Sequence, residues 1–235
     1  MRDFLDRIER ERIRLGSPLS LSTSYRFPLQ SEQARREVLW GAALLLLLPG
    51  VGWILNMGHR IEMVHRMHHG QEPWPAWTNY RRLWRNGLFT FLGMLYYYSP
   101  GALLLYFGYP ASGRLLLMAA TVAIPGYMTH YCKNFEVAEI FNPGLALSRV
   151  FQGGLAYWKA WGIALSALAL SFVGLFFGLG FLVSSVWFWQ VAGFSFASVF
   201  TQRFELGAAS VGGGQTRPQA LLSPRSALDS GPDAP

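Results

Sequence analysis

Long apolar segments separated by short polar ones dominate the chain. The clearest apolar run extends from Leu155 to Phe200 and contains one charged residue, Lys159. A single helix of this length would measure about 70 Å at about 1.5 Å per residue. The hydrocarbon core of a bilayer is about 30 Å thick, so the run must cross, turn and cross back. The pattern predicts an all-α, polytopic helical membrane bundle of four or five apolar helices.

Proline and glycine mark the breaks in the apolar sequence. The first apolar block, at about 38–57, contains Pro49-Gly50 in its middle. Because proline removes a backbone donor and clashes with the preceding turn, this block is predicted to be either a kinked span or a re-entrant hairpin. The other spans are predicted at about 88–107, 115–131, 157–177 and 181–200, the last two separated at Gly174, Gly178 and Gly180.

The segments outside the membrane domain have a different composition. Residues 1–16 fit an amphipathic helix with Phe4, Ile8 and Leu15 on one stripe, which either lies in the membrane interface or is a solvated helix with internal ion pairs. Residues 17–30 are rich in Ser and Pro and are predicted to be a linker. The membrane domain is therefore assigned to 31–205, followed by a Gly/Ser/Pro-rich tail, 206–235, that is predicted to be disordered.

Two polar inserts, at about 58–87 and 133–154, separate the apolar blocks. In the first insert, 58–70 is predicted to be helical, whereas Pro73 and Pro75 force extended backbone. Thr78 is predicted to cap a second short helix that ends near Gly87.

The two halves of the membrane domain resemble each other and predict an internal repeat, with units at about 38–108 and 111–178. The matching residues are Pro49-Gly50 with Pro125-Gly126, Arg82 with Arg149, and Gly87 with Gly154. Two apolar blocks per unit would make the repeat parallel, so that both inserts face the same side.

Charge predicts which side that is. Of the 20 Lys and Arg residues, 19 lie in the N-terminal region, the two inserts and the tail, and only Arg114 lies in the turn near residue 110. If the first block is re-entrant, the positive-inside rule places the N-terminus and both inserts in the cytoplasm. The expected location is a prokaryotic plasma membrane or an internal energised membrane. The expected partners are anionic lipid headgroups and other membrane-protein subunits rather than nucleic acid.

Four of the five histidines cluster in the first insert. His65, His68 and His69 form an H-x-x-H-H pattern that resembles one histidine box of membrane fatty-acid desaturases, and such a cluster could hold a metal. Desaturase-type sites need several boxes, and only His130 lies elsewhere. A basic helix with its histidines facing water or headgroups is therefore favoured. A pigment or other cofactor needs one imidazole, and His59, His65 and His130 are the candidates for that ligand.

No sequence motif indicates a catalytic activity, and no catalytic residue is assigned. No charged side chain is expected deep in a span, where coupled transporters often have one. The favoured function is a non-catalytic structural, assembly or accessory subunit of a membrane complex. The alternatives are a small-molecule or lipid translocator with a cavity lined by Tyr96, Tyr97, Tyr98 or Thr121, and a metal-dependent membrane enzyme built on the histidine cluster.

One stretch carries a family resemblance. An apolar block ends in Pro49-Gly-Val-Gly-Trp53, a basic helix with Arg60 and Arg66 follows, and then come Gly70, Pro75-Ala-Trp77 and Leu83 to Gly87-Leu88. In these features residues 37–107, and more loosely 20–204, resemble the prokaryotic membrane family called domain of unknown function 4013. Trp53 replaces the family's usual Tyr, and the insert is richer in histidine. The resemblance implies a multi-pass membrane protein with no assigned activity.

Overall fold

A computed structural model describes residues 13–212 of the chain, with side chains up to Thr201. All regular structure in this range is helical: α1 (Leu21–Arg26), a 3-10 turn (Phe27–Leu29), α2 (Glu32–Leu47), α3 (Pro49–His68), α4 (Tyr80–Tyr106), α5 (Pro110–Asn134), α6 (Val137–Ile140), α7 (Pro143–Val173), a second 3-10 turn (Gly174–Phe177) and α8 (Gly180–Gly212). Four stretches are long and apolar enough to cross a membrane: Tyr80–Tyr106, Pro110–Asn134, Pro143–Phe177 and Gly180–Thr201. The predicted polytopic helical fold is confirmed, with the lower of the two expected span counts.

The predictions for the N-terminal region and the tail concern residues that the structure describes only in part. Most of the predicted amphipathic helix at 1–16 and all of the tail beyond residue 212 lie outside the described residues, and residues 13–16 are not helical. The predicted linker at 17–30 is wrong, because it folds into α1 and the first 3-10 turn. Ser20 caps α1 by accepting a hydrogen bond from Thr23 N. Phe27 is fully buried, with its ring stacked 4.3 Å from that of Phe194.

The first apolar block is an antiparallel helical hairpin. Backbone angles of φ −137° and ψ 70° at Leu48 interrupt the helix, and Pro49 starts α3 at a position where its missing N–H costs nothing. Asn56 Nδ2 donates to Gly41 O at 3.0 Å, which joins α3 to α2. The chain therefore reverses direction at residue 48, as in the predicted re-entrant hairpin and unlike a kinked span.

The α4 helix differs from the prediction in two respects, its N-terminal cap and its continuation past Gly87. Asn79, not Thr78, caps it by accepting from Arg82 N at 3.0 Å. The helix then continues through Gly87 to Tyr106, so the predicted separate short helix is wrong. Gly87 does not end a helix, because it lies where α4 touches α3: a Cβ on Gly87 would overlap Ile54 O, and a Cβ on Gly58 would overlap Leu83 O.

Glycines also determine the turns and the kink. Gly108 has φ 81° in the turn between α4 and α5, and Gly178 has φ 59° in the turn before α8, as its predicted break requires. Gly154 has φ 53° and ψ −141° and kinks α7. Among the described residues, a large buried cluster joins α3, α4 and α5 to α8, with Tyr97 and Tyr127 stacked at 5.0 Å within it.

Candidate functional site

A buried carboxylate organises the base of the α2–α3 hairpin. Glu37 is 3% exposed and accepts hydrogen bonds from His59 Nε2 at 2.7 Å, from Ala76 N at 3.0 Å and from Gln33 Nε2 at 3.2 Å. Trp77 stacks on His59 with ring centroids 4.3 Å apart and donates its indole N–H to Glu37 O. These contacts fasten the connector between α3 and α4 to the hairpin. His59, a candidate cofactor ligand, is engaged in this network.

The environment keeps this carboxylate charged. Burial alone would raise the pKa of Glu37, but the hydrogen bond and positive charge of His59, with the donors of Ala76 and Gln33, outweigh burial and lower the pKa. The arrangement is that of a structural carboxylate with its hydrogen bonds satisfied.

Two further ion pairs involve the arginines of the predicted repeat. Arg82 on α4 pairs with the buried Glu62 on α3, and the buried Arg149 on α7 pairs with Glu139 on α6. Both arginines lie in a helix that starts at an Asn cap, Arg82 in the first turn and Arg149 in the second, and each pairs with a carboxylate from the preceding helix.

The Pro-Gly pairs of the predicted repeat occupy different places. Pro49-Gly50 begins α3, whereas Pro125 lies inside α5. Gly126 packs against α7, where an added Cβ would lie 2.7 Å from Ala146 O. The internal repeat stays a prediction.

The histidine cluster is spread along one side of α3. His65 Nδ1 bonds to Cys132 O at 2.8 Å, and its ring lies 4.3 Å from that of the exposed His69. His68 Nδ1 lies 3.2 Å from Thr201 Oγ1, and the ring of His130 lies 6.3 Å from that of Phe200. Within residues 13–201, no group of three or more His, Cys, Asp or Glu side chains is arranged to hold a metal ion.

Two of these histidines are biased towards the neutral form. Burial lowers the pKa of His65. Burial, with the positive charges of Lys133, His130 and the neighbouring histidines, lowers the pKa of His68 to about 4. Neutral imidazoles packed in this way support the interpretation of α3 as a packed helix rather than a solvated one.

Arg60 is a functional candidate that was not predicted from the sequence. Its side chain is 6% exposed and points from α3 across the bundle. The guanidinium carbon lies 4.7 Å above the ring of Trp189 on α8, and Nη2 donates to Met128 Sδ on α5 at 3.0 Å. No carboxylate of the described residues pairs with it. Among the side chains of residues 13–201, this buried charged group therefore has no counter-ion.

Arg60 lines an apolar cavity of about 380 Å³ between α3, α4, α5, α7 and α8. Tyr98 and Thr121 line it too, with their hydroxyl oxygens 3.0 Å apart. Of the tyrosines predicted for such a cavity, Tyr97 is instead buried against Tyr127, and Tyr96 is 44% exposed.

A second cavity, of about 270 Å³, lies between the α2–α3 hairpin and α8. Arg60 and Trp189 line both cavities, so their stacked side chains form a wall between the two spaces. The second cavity also contains Asn56, whose buried Oδ1 has no hydrogen-bond partner. An apolar space with a cation at one side is suited to an amphipathic ligand.

The sequence contained a signal for Arg60. In the sequence, Arg60 is followed by the apolar residues Ile61, Met63 and Val64. All three are at most 2% exposed, so α3 is buried on most sides. Assigning residues 58–87 to a polar insert concealed this pattern. Arg60 lies on α3, outside the four long apolar helices, so the expectation about charged side chains deep in a span did not cover it.

Comparison with known proteins identifies no relatives. No family model, no curated protein and no solved structure matches the chain. The resemblance to domain of unknown function 4013 stays a prediction.

Proposed function

We propose that this membrane protein binds an amphipathic small molecule or lipid inside its helical bundle and translocates it. The observation that carries the proposal is the cavity of about 380 Å³, with Tyr98 and Thr121 on its wall and Arg60 at one side. Ligand pockets in proteins typically measure about 300–1,000 Å³ and combine apolar walls with a few polar groups. A cavity at the small end of this range suits a single-chain amphiphile.

The position of the cavity suits a ligand that enters from lipid. Leu165 on its wall is 54% exposed, so the cavity reaches the outer surface of α7. Trp189 lies nine residues from Gly180, the start of α8. That is about 14 Å along a helix, close to half of a hydrocarbon core of about 30 Å. The Arg60–Trp189 pair would then act as a gate between the two cavities.

The hairpin supports one orientation in the membrane. The apolar part of α2, from Val38 to Leu47, is ten residues long. It would measure about 15 Å, about half the hydrocarbon thickness. The exposed leucines at its end, Leu46, Leu47 and Leu48, suit acyl chains. A hairpin that enters and leaves from the cytoplasmic side keeps the N-terminal region and both inserts on that face.

A transport assay with a cavity-filling variant tests the proposal. Ala164→Phe fills the cavity from α7, and Ala169→Phe places the same ring on the exposed side of that helix. In vesicles, we expect the wild type and Ala169→Phe to move a fluorescent single-chain amphiphile between leaflets about tenfold faster than Ala164→Phe does. A wild-type rate equal to that of protein-free vesicles, or equal rates for the two variants, would refute translocation through the cavity.

A second candidate is an accessory subunit of a larger membrane complex. Phe151 and Leu155, four residues apart at the kink of α7, are 83% and 85% exposed, and Trp158 follows at 55%. An apolar patch of this kind next to the second polar insert suits a partner helix. We expect Phe151→Ser with Leu155→Ser to abolish co-purification of a stoichiometric partner from native membranes in mild detergent. Recovery of wild-type chain alone would reject this role.

A further inference from the structure

We propose that Arg60 binds the anionic head of a single-chain amphiphile, a carboxylate or phosphate group, while the tail occupies the adjoining apolar cavity. This inference rests on the proposed function and deepens it by assigning the charge of the ligand. The first step is the state of Arg60 itself. A guanidinium in a protein keeps its proton, so the buried side chain is a cation.

Burial of that cation without a counter-ion costs free energy. Within residues 13–201, the guanidinium of Arg60 contacts the ring of Trp189 and the sulfur of Met128, and neither group is charged. Charged groups inside proteins are normally paired or bound to a ligand. The other buried arginine of the bundle, Arg149, follows this rule, since it pairs with Glu139. Arg60 therefore lacks the partner that an anionic ligand would supply.

The fold makes room for Arg60 at this place. A Cβ on Gly193 would lie 2.9 Å from Arg60 Cγ and 3.0 Å from Cδ, so only glycine leaves space for the arginine stem on α8. The guanidinium of Arg60 is the charged donor on the wall of this mostly apolar cavity, and it can recognise an anionic group at one end of an amphipathic ligand.

The shape of the site selects the class of ligand. The guanidinium offers parallel N–H donors that match a carboxylate or a phosphate. A cavity of about 380 Å³ suits one chain rather than the two of an ordinary phospholipid. Fatty acids and single-chain phosphate lipids share this chemistry.

Photolabelling in neutral phosphatidylcholine vesicles tests the inference. The probes are diazirine-bearing palmitate, a lysophosphatidate with the same chain, and the corresponding uncharged alcohol, and labelled peptides are located by mass spectrometry. We expect both anions to label the cavity segment of α7 around Ala164 in the wild type. Arg60→Met should reduce that labelling about 10- to 100-fold, the range for a lost charge-assisted hydrogen bond, and leave labelling by the alcohol unchanged. The ratio of the two anions identifies a carboxylate or a phosphate head.

Two further variants make the outcome unambiguous. Arg60→Lys keeps the charge and should retain preference for the anions, whereas Ala164→Phe should block all three probes. If all probes label the cavity equally and Arg60→Met changes none of them, anion recognition is wrong while amphiphile binding stands. If no probe labels the cavity and only exposed faces react, the proposed function fails together with this inference.

Discussion

Removing the Glu37 carboxylate tests whether the polar network fastens the hairpin to the bundle. Glu37→Ala leaves the donors of His59 and Ala76 buried without an acceptor. At about 1–3 kcal/mol for each orphaned donor, the loss is about 2–6 kcal/mol. For a chain of this size, 1 kcal/mol corresponds to about 2–4 °C, so that loss lowers the midpoint of thermal unfolding by about 4–24 °C.

Cys132 provides the assay. It is the only cysteine of the chain and is 3% exposed, so a thiol-reactive dye reports opening of the bundle in detergent. Glu32→Ala is the matched control, because Glu32 forms an ion pair with Arg36 at the surface. The side chains of Arg36 and Glu32 are 70% and 72% exposed, and such a pair contributes about 0.3–0.5 kcal/mol to stability. A midpoint for Glu37→Ala within about 2 °C of that for Glu32→Ala would refute the structural role of the network.

Two other predictions use the same assay. The pKa of His68 is lowered to about 4, so between about pH 6.5 and pH 4 the unfolded chain binds a proton that the folded chain does not. Stability should therefore fall as the pH falls through this window, and His68→Gln should reduce the difference between midpoints at pH 7.5 and pH 5; an unchanged difference would contradict this. Gly87→Ala should cost about 1–3 kcal/mol because its methyl group would overlap Ile54 O. By contrast, Gly162→Ala meets no atom within 4 Å and should gain up to about 1 kcal/mol from helix propensity, so equal effects of the two would contradict the packing.

The sequence predicted the helical class and the main breaks because these depend on local chemistry. The length of apolar runs predicted the spans, and glycine's freedom at positive φ predicted the turn at Gly178. The predicted helix end at Gly87 was wrong because a glycine in a helical pattern has two uses, as a helix stop or as a point of close helix contact. Only the position of Ile54 on the neighbouring helix decides between them.

The candidate site was harder to predict because its residues come from distant parts of the chain. Arg60, Met128 and Trp189 meet only when three helices pack together. An average of hydropathy along the sequence counts Arg60 as evidence for a polar segment. In the folded protein, however, the neighbouring side chains bury it. Tyr98 and Thr121 were predicted for a cavity because their hydroxyl groups lie within apolar helices. The two hydroxyl groups hydrogen-bond each other, and Thr121 Oγ1 also donates to Leu117 O.

Sidedness of four engineered cysteines tests the central claim, that four helices cross the bilayer with both inserts on one face. In a Cys132→Ser background, single cysteines replace the exposed Gln71 and Gly144 in the inserts and the exposed Ala111 and Leu179 in the opposite turns. In intact cells, a membrane-impermeant maleimide should label the second pair and reach the first pair only after permeabilisation. Labelling of a cysteine at Gln71 together with one at Ala111 before permeabilisation would contradict the account.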